Sequence, residues 1–252
     1  MPGLDREENT GFKARLYDHY LSQHVRASAE TIQVALASRS HLLRRVIAAY
    51  LPPERSVRIL DLGCGYGGFM HALRAAGYTN VAGVDISQEQ IDMARQLGFE
   101  DVHCEDLRAF LSRVPDRKYD AVIAFDILEH FTRNELFELV DELHRVLAPG
   151  GRLIVHVPNA EGIFSGTVRN GDLTHELAFT RGSLKQLAGA CGFRVAAVKE
   201  DVPVVHGVRS LVRYLLWTVL TFAFRVLAVA ETGEGFRDKP MSQNLFAVLE
   251  AI

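Results

Sequence analysis

The chain is poor in the features that mark several large protein classes. Its three cysteines, Cys64, Cys104 and Cys191, lie far apart. They form neither a zinc knuckle nor a disulfide framework, so reduced thiols in the cytoplasm are expected. The formal net charge is −3, which gives no basic field to gather nucleic acid, and no nucleic-acid partner is expected. The first residues, MPGLDREENTGFKARL, lack an apolar core segment, so no secretory signal is expected. Internal repeats and low-complexity tracts are absent.

Long uncharged apolar runs are scarce too. The strongest is LVRYLLWTVLTFAFRVLAVA at residues 211–230. Arg213 and Arg225 confine its uncharged part to residues 214–224, short of the ~20 needed to cross a bilayer. A helix buried in protein or in a homodimer is expected there, with peripheral membrane contact as the alternative. The oligomeric state stays open.

What is present alternates. Residues 1–54 read as helical, with Leu42, Leu43, Val46 and Ile47 at helical spacing and Pro52-Pro53 stopping the run. Strand and helix patterns then follow one another. Strands are predicted at 57–62, 81–85, around Val102, at 119–125 and at 152–158. Helices are predicted at 69–76, after a Ser87 cap, in DLRAFLSRV and at 134–147, with a turn APGG at 148–151. A helix TRGSLKQLAGACG, a strand at 193–198 and a last strand NLFAVLEA complete the chain. Such repetition implies right-handed βαβ crossovers and a mostly parallel sheet. We expect one domain: a helical lid at 1–54, a core at 55–202, a helical cap at 203–240 and the last strand at 241–252.

In open α/β sheets, ligands sit at the carboxyl ends of the strands. After the first strand comes ILDLGCGYGGFMHAL at 59–73, where Gly63-x-Gly65-x-x-Gly68 literally matches the dinucleotide fingerprint. The neighbours argue otherwise. Asp61, Asp85, Asp106 and Asp126 recur at successive strand ends, and no Lys or Arg lies between 59 and 73. A pyrophosphate is poorly matched there. A ligand with ribose, adenine, a sulfonium and an ammonium suits it, and S-adenosylmethionine is that ligand.

D-L-G-C-G-Y-G resembles the first motif of class I S-adenosylmethionine-dependent methyltransferases, and the similarity runs from roughly residue 55 to 200. The resemblance implies a Rossmann-like α/β fold. Its seven-stranded, mostly parallel sheet would have order 3-2-1-4-5-7-6 and helices on both faces. It implies that Asp61 and Gly63 hold the methionine ammonium and that Gly65 and Gly67 let the backbone pass under the ligand. Asp85, followed by Ile86, would take the ribose hydroxyls. Asp106-Leu107 would meet the adenine, and Phe125-Asp126 would line the methyl end. Asp61, Asp85 and Asp106 each have a plainer alternative as turn or helix caps.

An alcohol acceptor needs its proton removed as the new bond forms, and histidine is the commonest base for that. His130 in FDILEHF and His175 in GDLTHELAFT are the candidates, the family resemblance covering both. His156, on an apolar strand, reads as an ordinary strand histidine. Asp126, Glu129, His130, Asp172, His175 and Glu176 could gather a divalent metal, but no H-x-x-x-H spacing supports it, and no metal is expected. The absence of an N-P-P-Y signature at Asp126-Ile-Leu-Glu favours oxygen over nitrogen acceptors. Tyr17 and Tyr20 are candidate lid residues. The apolar cap and the stretch 159–180 should form the acceptor side. The cap loosely resembles enzymes of bacterial cell-surface glycan pathways, which implies a sugar hydroxyl as acceptor. A lipidic phenol or other small metabolite is the alternative. So is a non-catalytic cofactor-fold protein that binds a partner.

Overall fold

The computed structural model describes residues 11, 13, 16, 29–233, 235 and 239–252. Tyr17 and Tyr20, read as lid residues, lie outside the described residues. The chain divides into two compact units, Met1–Ile123 and Ala124–Ile252.

The first unit opens on α1 (Ala29–Tyr50). Leu43, Val46 and Ile47 of its predicted apolar stripe are buried. The helix ends where Leu51 donates back to the Ile47 carbonyl and Pro52 follows, a residue that disfavours helix just before it. Then come β1 (Ile59–Leu62), α2 (Gly68–Ala75), β2 (Val81–Asp85), α3 (Gln88–Gln96), β3 (Val102–Cys104), α4 (Leu107–Ser112) and β4 (Tyr119–Phe125). Strand β2 pairs in parallel with both β1 and β3. All four β1 residues are buried, as befits a strand covered on both faces. A satellite core of Cys64, Met70, Ile91, Ala94, Phe99 and Val102 packs where the β1 turn meets α3.

The second unit carries a 3-10 turn (Leu128–His130), α5 (Arg133–Val146), β5 (Leu147–Pro158), α6 (Ser165–Arg169), α7 (Arg181–Ala190), β6 (Phe193–Glu200), α8 (Val208–Thr232) and β7 (Asn244–Ala251). Strand β7 lies antiparallel to β5 and to β6. The seven strands run in the order β3-β2-β1-β4-β5-β7-β6, which is the order the resemblance implied. Helix α7 starts on a reciprocal cap: Thr180 Oγ1 accepts from the Ser183 amide at 3.0 Å, and Ser183 Oγ accepts from the Thr180 amide at 2.9 Å.

Three expectations are corrected. The APGG turn lies inside β5, where Gly150 takes a positive φ of 73°; the strand pairs with β7 from Arg152 onward. Ser87 occupies the cap position of α3 but makes no side-chain cap bond; Asp85 Oδ1 accepts the Ser87 amide instead. Finally, the 211–230 helix is not buried within the chain. Eleven of the seventeen large hydrophobic side chains exposed among the described residues belong to α8.

Candidate functional site

The glycine turn after β1 is tied to the end of β2. Gly65 donates to Asp85 Oδ2 at 2.9 Å, and Ser87 donates to Asp85 Oδ1 at 2.9 Å. Both Asp85 oxygens therefore hold backbone amides, and each keeps a second lone pair for another donor. Gly63 and Cys64 both donate to the Val84 carbonyl, which lays the turn across the β2 end. Gly67 caps α2 at φ 87°, and a Cβ there would stand 2.8 Å from the Phe99 ring. Left-handed backbone and a rigid aromatic neighbour together exclude a larger residue.

Asp61, 2% exposed, sits beneath this turn with its Oδ2 buried and without a hydrogen-bond partner. Burial first, and the nearby Asp85 charge second, push its carboxyl up to about 8, against a weaker opposing bond from the Met70 amide. A buried acid held back from ionising by another acid is matched by a cationic group, and the ammonium of a methionine moiety is one. The residues present fit S-adenosylmethionine on that ground. Asp106 Oδ1 accepts from the Arg108 and Ala109 amides at 3.0 and 3.1 Å, so it does cap α4; its second oxygen makes neither bond. Leu107 is buried and Ile86 is half exposed.

In the second unit, two histidines separated by forty-five residues in sequence meet. Glu176 and Leu177 donate to the Glu129 carbonyl at 2.8 and 3.1 Å, folding the 172–177 loop onto the 3-10 turn. The His130 and His175 rings thereby lie 4.7 Å apart, edge to face. Their tautomers follow from the network. His175 Nδ1 faces the Val168 carbonyl at 3.0 Å; a carbonyl only accepts, so Nδ1 carries the proton. Thr174 Oγ1 donates to Asp172 Oδ1 at 2.6 Å. The threonine must then accept from His130 Nδ1 at 2.8 Å. With the proton on Nδ1, the neutral form of either ring has Nε2 as its acceptor nitrogen. His175 Nε2 lies 4.0 Å from Glu129 Oε1. Ligand-type atoms of Glu129, His130 and His175 all fall within 4.8 Å of one another. Glu129 is 1% exposed, and its Oε2 has no hydrogen-bond partner. Burial, then the Asp126 charge, raise its carboxyl well above the usual range. The spacing that argued against a metal counted residues along the chain, and the folded loop makes that count irrelevant.

Asp126 and Phe125 both engage His156. Asp126 adopts φ 58°, a left-handed conformation that aspartate tolerates better than most residues. Its amide donates to the His156 carbonyl at 3.0 Å, and its Oδ1 makes a short bond to His156 Nδ1. Phe125 stacks on the same ring, centroids 4.2 Å apart. On the other side Asp201 Oδ2 stands 3.6 Å from His156 Nε2, too far for a hydrogen bond but close enough for a charge pair. Burial opposes the charged imidazole, and the two carboxylates outweigh it, raising the histidine to about 9. His156 is thus a buried imidazolium between two acids and not an ordinary strand histidine. It is the one polar residue inside the apolar run LIVHVP; Asp201, beyond β6, carried no sequence signal linking it to His156.

This strand order, with an acid-ended β2 and a glycine turn after β1, defines the class I methyltransferase architecture. Residues 35–198 match the family described as "Methyltransferase domain", and the chain belongs to that family. Among solved structures, a SAM-dependent methyltransferase from Archaeoglobus fulgidus superposes with a TM-score of 0.63 at 20% identity, covering 94% of this chain and 99% of that one. Magnesium protoporphyrin IX methyltransferase from Synechocystis, solved with bound SAM, gives 0.57 at 16% identity, covering 99% and 100%. The ubiquinone biosynthesis O-methyltransferase of Xylella fastidiosa is 32% identical over 127 residues, 47% of this chain and 50% of that protein. Cyclopropane mycolic acid synthase 3 of Mycobacterium tuberculosis is 25% identical over 207 residues, 75% and 70%. The chain spans only 21% of the length of the mouse probable tRNA methyltransferase 9B that it matches at 31% identity. S-adenosylmethionine, expected from the sequence, is the cofactor.

Proposed function

We propose that the protein is an O-methyltransferase acting on a hydroxyl of a small molecule, foremost a sugar of a cell-surface glycan or its precursor. The observation that carries the oxygen chemistry is the meeting of the His130 and His175 rings, each tied through its Nδ1, beside buried Glu129. S-adenosylmethionine, when bound, supplies a methyl group on a sulfonium. Asp61 and Asp85 would hold its ammonium and ribose, the Gly63–Gly67 backbone would pass beneath it, and Asp106-Leu107 would meet the adenine. Phe125-Asp126 would line the methyl end. His175 Nε2 would accept the proton of the acceptor hydroxyl, its ring fixed by the Val168 carbonyl. Oriented in this way, a base contributes roughly 10²–10⁴-fold. Asp172 and Glu176, partly exposed beside the pair, give a polar surface suited to a sugar. Two relatives, a ubiquinone biosynthesis O-methyltransferase and a 27-O-demethylrifamycin SV methyltransferase, support oxygen as the acceptor atom.

The test is a panel of acceptors (sugar nucleotides, lipid-linked sugars, polyprenyl phenols) scored by mass spectrometry for one added methyl. His175→Ala and His130→Ala should each lower turnover on the accepted substrate while cofactor affinity stays unchanged. Wild-type turnover in both variants sinks the base assignment. Methylation of phenols alone moves the acceptor class.

A second reading rests on the same three side chains. Two imidazole nitrogens and a carboxylate within 4.8 Å are a ligand set for a divalent cation. A cation there would acidify the acceptor hydroxyl in place of a protein base. Loss of activity in chelator, restored by Mg²⁺, Mn²⁺ or Zn²⁺, favours this reading; full activity in chelator removes it.

A further inference from the structure

Helix α8 is amphipathic in the inverted sense. The side turned toward its own chain carries Ser210, Tyr214, Trp217, Thr221 and Arg225, spaced three or four apart, and Ser210 and Thr221 are buried. The side turned away is apolar: Val212 is 51% exposed, Leu216 59%, Val219 68% and Leu227 65%. A helix on a water-soluble fold places these faces the other way round.

Arg225 decides the length of the outward face. Its guanidinium bonds Glu200 Oε2 at 2.5 Å and the Lys239 carbonyl at 3.1 Å. Its charge is therefore spent inward. From Tyr214 to Ala230 no charged side chain remains on the outward side, although the sequence run is interrupted at Arg225. Arg209 and Arg213 are exposed at the opposite end of the helix.

We propose that α8 docks on an anionic lipid bilayer, lying in the plane of the interface with its outward face among the acyl chains. Three observations select that occupant. At 100° per residue the exposed apolar positions sweep about 220° of the helix circumference, roughly twice the stripe that one facing helix covers. A second copy would leave much of it in water. The polar inward stripe and the Arg225–Glu200 pair fasten the helix to the protein, so it cannot be surrounded by lipid as a spanning helix is. Arg209 and Arg213 lie at the N-terminal end of the helix, just before the uncharged stretch begins, where cations meet lipid phosphates. With 25 residues, the helix is about 37 Å long.

The experiment is sedimentation of the full-length protein with vesicles of phosphatidylcholine, with and without phosphatidylglycerol. The protein should pellet with the mixed vesicles. Leu216→Glu/Val219→Glu should weaken this at least about tenfold, given the burial lost, with melting temperature and S-adenosylhomocysteine affinity unchanged. Arg209→Glu/Arg213→Glu should weaken binding to the anionic vesicles alone. Should the double glutamate variant fail to fold, Leu216→Trp in a Trp217→Phe background provides the readout, and its emission should shift to the blue on vesicles. No vesicle binding by the wild type, or no blue shift, overturns the proposal. So does a lipid-free dimer, seen by analytical ultracentrifugation, that Leu216→Glu/Val219→Glu dissociates; a second copy would then be the occupant.

Discussion

Asp85 and Gly65 are joined across twenty residues by a 2.9 Å bond from the glycine amide to the carboxylate. The acid at the end of β2 thus builds the turn after β1 before any ligand arrives, and this binds two motifs of the sequence into one object. Asp85→Asn should separate its roles poorly and Asp85→Ala not at all. An amide presents a donor where one of two backbone N–H groups needs an acceptor. Leaving such a buried group unpaired costs about 1–3 kcal/mol. Thermal melts should show that loss in both variants, and calorimetric titration should show cofactor binding gone. A variant that binds S-adenosylhomocysteine normally would contradict the arrangement.

Asp61 gives a pH signature. Its carboxyl titrates at about 8 in the fold against an ordinary 3.8. The folded chain therefore binds a proton that the unfolded chain has released over that interval, and stability falls as pH rises from 4 toward 8. Asp61→Asn removes the liability. It should melt higher than wild type above pH 8 while losing cofactor affinity. In the wild type, a cationic ligand favours the ionised acid. Binding below pH 8 should expel a proton, seen as a dependence of the calorimetric heat on the buffer, and affinity should strengthen toward pH 8.

Much of this was legible in the sequence. The strand-end acids and glycines are local, each within a few residues of a strand that its own apolar run announces. Strands Val81–Asp85, Tyr119–Phe125 and Asn244–Ala251 fall where the pattern put them. What escaped depended on contacts between distant segments. Glu129, His130 and His175 were named among possible metal ligands and set aside for want of helix spacing; two backbone bonds from a loop bring them together, and loop paths leave no periodicity. The burial of the Arg225 charge depends on Glu200, so the helix read as charge-interrupted shows a continuous apolar side. Hydropathy counted along the chain cannot see which way an arginine points.

His156 should titrate as a base stronger than free imidazole. Its raised value of about 9 means that its pairing stabilises the fold fully below about 6.5. That contribution is lost as pH climbs through 9, and it amounts to on the order of 3 kcal/mol. Asp126→Asn keeps a side chain that tolerates φ 58° and removes one of the two charges. NMR titration of the His156 ring should show its value falling in that variant. The decline in melting temperature between pH 6.5 and 9 should become shallower. An unchanged titration would mean that Asp126 does not hold the imidazolium.

Glu200 joins three parts of the second unit. One oxygen pairs with Arg225 of α8, and the other accepts from the Met241 amide at 2.6 Å and the Ser242 amide at 3.3 Å. Met241 and Ser242 are buried just ahead of β7. Glu200→Ala would leave a largely buried guanidinium unpaired as well as two amides, and breaking a pair in that way costs about 3 kcal/mol or more. Arg225→Met removes the cation but keeps the stem's packing and leaves Glu200 bonded to the amides, so it should cost less. Hydrogen exchange separates the two effects. In Arg225→Met, faster exchange should be confined to α8, whereas in Glu200→Ala it should extend to residues 241–244 as well. Equal patterns in both variants would show that Glu200 does not act as the link between the helix and the start of the last strand.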